Sequence, residues 1–238
     1  MRFFNQTIGS LVDENYVYAR ALAYLGVDFY LHPDRKLSEV CEQRHLPKDQ
    51  VLKAFYLFDR SHRFSFSELN KYPLEIVIEY LKHSHHIFIK DKLPYIAKLV
   101  SRHPGMEDLK LIFPEFVDEF VNHIYAEEDT LFHYLDSLLK VDNGEHPNPA
   151  SVFWKHRHLS LENIYDQHCE DEELAGLRHL AEEYKKPDLH ARVILKEIKA
   201  FDREMWYHAE IENKILFPKA IELEKRVKER ITHLTKLN

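Results

Sequence analysis

From Pro73 onward, apolar residues recur every three to four positions in long runs, with charged residues between them. Ile78, Leu81, His85, Ile89, Leu93 and Ile96 share one such stripe, which predicts a helix from Pro73 to about Arg102. Pro94 is expected to kink it, because proline has no N–H for the preceding turn. The segment HPGMED should end it. A second long helix is predicted from Phe113 to Lys140, followed by the turn-rich VDNGEHPNPAS. A third runs from Ser151 to Tyr184, where KKPD breaks it, and a fourth from Leu189 to about Lys236. Four long helices with short connections predict an all-α, up-down-up-down four-helix bundle over residues 73–238.

Upstream the pattern is shorter. One amphipathic stretch covers about Asn15 to Leu25, with Gly26 as its C-cap. Asp28 to Arg35 is a connector, a second helix begins near Leu37 with Ser38 as its cap, and Pro47 opens a third. Residues 1–62 therefore read as a small helical N-terminal domain. Ser61 to Tyr72, polar and aromatic, reads as the linker.

Composition sharpens this picture. Of 238 residues, 45% are hydrophobic, enough for a sizeable core. Only 5 are Gly, where average usage of about 7% gives roughly 17. The formal charge of -7 argues against a nucleic-acid surface. No stretch reaches the ~18 apolar residues of a membrane span, so the expected location is cytoplasmic, with no membrane partner. Two cysteines, Cys41 and Cys169, and no CxxC motif argue against a disulfide framework. Histidine is over-used: there are 17, and imidazole is the commonest metal ligand.

The histidines fall into a pattern that occurs twice. HIYAEEDTLF and HAEIENKILF both read His-x3-Glu-x3-Leu-Phe, beginning at His123 and His208. On a helix, i and i+4 share a face, so His123 with Glu127, and His208 with Glu212, can grip one object. Each half also has an upstream His: the HSHH cluster, counted from His86, and His168. The resulting set is His86, His123, Glu127, His168, His208 and Glu212. Four imidazoles and two carboxylates can serve two metals with bridging carboxylates, and they suit iron or manganese. The ferritin-like order Glu-x-x-His is absent from this set, which runs His-x3-Glu. His168 lies on the apolar phase of Leu161 and Ile164, where a core histidine is the competing reading. His83, His103, His133, His156, His158, His179 and His190 read as surface residues or as supports for ligands.

These residues resemble the hemerythrin-like cation-binding domain. More closely, they resemble bacterial di-iron proteins implicated in repair of iron–sulfur centres after nitrosative or oxidative stress. HHIFIKDKLPYI is similar to that family's first-helix signature, and HAEIENKILFPKAIELE to its last. The resemblance implies a non-haem di-iron centre with two irons per chain. It also implies a small diatomic ligand, O2 or NO, and iron–sulfur proteins as partners. An oxygen or nitric oxide sensor or carrier is the alternative function. The family pattern, counted back eight from Pro94, selects His86; plain helical phase favours His85. The kink expected at Pro94 weakens the phase argument, so His86 is taken as the first-helix ligand. In the family a Cys-Cys-Gly-Gly stretch normally follows Asp-Phe. Here Asp28-Phe29 precedes Tyr30-Leu31-His32-Pro33. Lacking the thiols, the N-terminal domain is expected to serve docking or homodimerisation.

Overall fold

The fold was obtained as a computed structural model, which describes residues 3–59, 65–145, 148–156, 160–168, 184 and 187–236. It is all-α. Among the described residues the one extended pairing is an isolated bridge between Thr7 and Lys36. The chain forms two compact units: Met1–Arg63 with Lys98–Leu109 and Leu177–Ala200, and Phe64–Ala97 with Lys110–Gly176 and Phe201–Asn238.

The first unit begins with α1 (Ile8–Glu14), a helix that the apolar pattern did not announce. Thr7 starts it by accepting the Ser10 N–H at 3.2 Å. Next come α2 (Val17–Tyr24), α3 (Leu37–Gln43) and α4 (Lys48–Asp59). Gly26 follows α2 at φ 76°, the left-handed geometry expected of a C-cap glycine. The N-cap of α3 is Lys36, not Ser38. Tyr18 stacks on Phe55 at 4.5 Å, with Phe3 edge-on to both, and this joins α2 to α4. Ile8, Leu11, Leu22, Phe29 and Leu37 are wholly buried beside them.

In the second unit, the expected linker contains a short helix, α5 (Phe66–Leu69). Ser65 and Glu68 cap it reciprocally, satisfying two orphan N–H groups. Then follow α6 (Leu74–Ile87), α7 (Leu93–Arg102), α8 (Glu107–Glu127) and α9 (His133–Asp142), with α7 from Lys98 and α8 as far as Leu109 counted in the first unit. α8 starts before Phe113 and runs through Pro114. α10 (Pro149–Lys155) and α11 (Leu161–His168) occupy the start of the expected third helix, and most of the remainder lies outside the described residues. α12 (Leu189–Ile211), counted in the first unit as far as Ala200, and α13 (Phe217–Lys236) complete the chain. Leu74, Val77, Ile78 and Leu81 of α6 share one core with Leu135, Leu138, Phe217, Ala220, Leu223 and Val227. The three-to-four spacing of each set places it on one helix face.

Three π-helical turns interrupt these helices: Phe88–Lys92, Glu128–Phe132 and Glu212–Leu216. Pro94 and Pro218 each stand two positions beyond a π turn. A proline there would press its ring on the carbonyl four residues back, and the wider turn relieves that clash. The irregularity expected at Pro94 thus takes the form of a π turn. The middle one has no proline; Thr130 Oγ1 donates instead to the Ala126 carbonyl at 2.6 Å, competing with the helix ladder.

Candidate metal centre

His85, Glu127, His208 and Glu212 converge. Each offers one ligand atom, and the four atoms lie within 4.8 Å of one another. Three of the four are buried almost completely: His85 is 2% exposed, His208 5% and Glu212 1%. His85 and His208 stand three and four residues before a π turn, Glu127 directly precedes one, and Glu212 opens one. Such bulges concentrate at functional sites.

His85 reaches the cluster because it continues the buried face of α6, one turn after Leu81. His86, the first-helix ligand expected from the sequence, is rotated about 100° away and is exposed. It lines a surface cavity of about 240 Å³ with Lys82, Ile89, Lys90, Tyr125 and Glu128. The π turn begins at Phe88, after both histidines, so regular helical phase still governs them. His85 therefore takes the position assigned to His86.

The polar contacts are short. His85 Nε2 is 2.9 Å from His208 Nε2 and 3.5 Å from Glu127 Oε2. His208 Nε2 is also 2.9 Å from Glu212 Oε1. On its other side, His85 Nδ1 lies 2.9 Å from Glu128 Oε1. Burial, reinforced by the neighbouring His208 and His123 and opposed by Glu212, pushes His85 down to about 3. Its imidazole is therefore neutral at ordinary pH and can offer a lone pair. Aromatic rings close the site. Phe132 stacks on His85 at 5.6 Å, and Phe88 stands edge-on to His208 at 5.7 Å.

This donor set fits a cation. Two carboxylates and two imidazoles pointing lone pairs into one buried space repel each other unless positive charge lies between them. Nitrogen and oxygen donors together suit iron, manganese or zinc.

Of the six residues expected from the sequence, Glu127, His208 and Glu212 are in the cluster. His123 is half-buried on α8, one turn before Glu127, and close enough to His85 to depress it. His168 ends α11, and its side chain lies outside the described residues. Glu128 was not singled out by sequence reasoning. Its signal was its place directly after Glu127.

Three histidines read as surface or supporting residues are buried: His103, His156 and His190. His156 lies against Tyr134 at 4.9 Å. His190 stacks on Tyr30 at 3.9 Å, so Tyr30 acts as a packing surface where the family resemblance would place a thiol. His158 and His179 lie outside the described residues. Cys41 is free and buried, and burial raises its thiol pKa. Cys169 lies outside the described residues. Among the described residues no helix is long and apolar enough to cross a membrane.

No protein-family model matches the chain. It is similar to proteins named "Iron-sulfur cluster repair protein ScdA" from two strains of Staphylococcus epidermidis. Each is 22% identical over 207 residues, spanning 82% of this chain and 88% of that protein. The protein of the same name from Staphylococcus haemolyticus is 22% identical over 155 residues, or 60% of this chain and 65% of that one. This low-identity likeness, together with an all-α fold and a buried His/Glu cluster, supports kinship with the iron–sulfur cluster repair proteins.

Proposed function

We propose that this chain is a cytoplasmic non-haem di-iron protein that acts in repair of iron–sulfur clusters under nitrosative or oxidative stress. One observation carries the reading. Both carboxylates of the duplicated His-x3-Glu pattern meet at one buried point with two imidazoles, in a chain similar to proteins named for that repair. His85, Glu127, His208 and Glu212 would hold the metal, with His123 and His168 completing a six-residue set in a four-helix bundle. Glu127 and Glu212, equivalent positions of the two halves, would supply its carboxylate ligands and balance its charge.

When bound, the iron pair supplies a ferrous–ferric couple and a coordination position for a small diatomic, O2 or NO. The protein's part is to hold and shield. His85 presents Nε2 as a neutral donor, and the two carboxylates balance the cationic charge. Phe88 and Phe132 keep water from the imidazoles, which strengthens every electrostatic interaction within. The N-terminal unit serves docking or self-association, because an aromatic and an aliphatic side chain do no thiol chemistry.

The test is recovery of activity by a [4Fe–4S] dehydratase inactivated with nitric oxide. Iron-loaded protein, prepared without oxygen, should restore activity, and a Glu127→Ala/Glu212→Ala variant should not. Equal recovery with both, or none with either, would remove the repair reading.

A further inference from the structure

We infer that Glu128 is the positioning residue of the centre: it fixes His85 in the tautomer that turns the lone pair of Nε2 toward Glu127, His208 and Glu212. This rests on the metal-centre reading above and adds a residue to it. The geometry is specific. Glu128 Oε1 lies 2.9 Å from His85 Nδ1, across 43 positions of sequence. A carboxylate only accepts, so Nδ1 carries the proton. In a neutral imidazole the other nitrogen is then bare, and Nε2 is the atom that faces the cluster. The ring cannot swivel freely, because Phe132 stacks on its face with an interplanar angle of 15°.

Glu128 differs from the cluster carboxylates in its surroundings. Its side chain is 34% exposed and opens on the surface cavity with Lys82, His86 and Lys90. It thus holds the inner histidine from outside, as an acceptor on the far nitrogen of a metal-binding imidazole does. The second copy of the pattern does not carry the same carboxylate. Glu127-Glu128 of the first half corresponds to Glu212-Asn213 of the second. An amide oxygen can accept the same bond but carries no charge. Glu128→Gln therefore keeps an acceptor and removes the charge, whereas Glu128→Ala removes the acceptor.

The test has two arms on the full-length chain. In the metal-free protein labelled with 15N-histidine, His85 is assigned by loss of its signals in His85→Gln. Its Nδ1 should show a protonated-type shift and its Nε2 an unprotonated one, and Glu128→Ala should abolish that preference. In the second arm, Co(II) is titrated against a chelator. Glu128→Ala should weaken binding roughly 10- to 100-fold, Glu128→Gln should weaken it less, and Lys90→Ala on the same cavity should leave it unchanged. An Nε2-protonated His85 in the unsubstituted protein overturns the inference, as does tight Co(II) binding that Glu128→Ala leaves intact. Failure of the unsubstituted protein to bind Co(II) or iron sinks the metal-centre reading instead, and the tautomer arm still decides the role of Glu128.

Discussion

His85 Nε2 lies 2.9 Å from His208 Nε2, although 123 positions separate the two residues. Two neutral imidazoles can share one proton at that distance, but here Glu127 and Glu212 crowd the same space. The contact reads as half of a coordination sphere. It follows that neighbours in sequence should differ sharply in effect. His85→Ala should lose most bound iron, while His86→Ala, which alters only an exposed side chain, should retain it. Iron per chain after gel filtration decides this. Loss in His86→Ala with retention in His85→Ala would reverse the assignment.

The contrast between these two histidines shows what the sequence could and could not deliver. The duplicated His-x3-Glu was legible because i,i+4 spacing on a helix is a local property, and three of the four clustered residues came from it. Choosing between His85 and His86 required knowing where the helix departs from regularity. The π turn begins at Phe88, beyond both, so the apolar phase from Leu74 to Leu81 was the better guide. The π turns themselves left no clear trace in the pattern, apart from Pro94 and Pro218. The cap at Ser65 and Glu68 was readable as Ser-x-x-Glu but was hidden inside an apparent linker. Burial of His103 and His190 depends on contacts far apart in sequence, which no periodicity reports.

His190 gives the first unit a pH dependence of stability. Burial, together with nearby His103, pushes its pKa down to about 4, against the opposing pull of Asp188 and Asp28. An unfolded histidine titrates near 6.5. As pH falls below about 6.5, the unfolded chain takes up a proton that the folded chain refuses. The contribution of His190 is thus complete above that value and is lost progressively toward pH 4. His190→Phe keeps a ring against Tyr30 without the titration. Its urea midpoint should fall less between pH 7 and pH 4.5 than that of the unsubstituted protein. Parallel curves would show that His190 is not the sensor.

Gly9 tests the packing of the N-terminal segment. Its N–H donates to the Pro33 carbonyl at 2.7 Å, and a Cβ there would stand 2.9 Å from that same oxygen. Alanine would gain about 1 kcal/mol of helix propensity. The clash is with backbone, which cannot swing aside, and forced overpacking costs about 1–3 kcal/mol. The clash should prevail, so Gly9→Ala should lower the melting temperature. A higher melting temperature would mean that the Pro33 segment yields.

Iron content of protein purified without oxygen, with its optical spectrum before and after exposure to air, decides whether a di-iron centre is present. About two irons per chain and a spectrum that changes in air are expected. Iron should be lost in both Glu127→Ala and Glu212→Ala and retained in Lys90→Ala. A protein that binds no iron, or that binds it equally well without either carboxylate, holds no such centre.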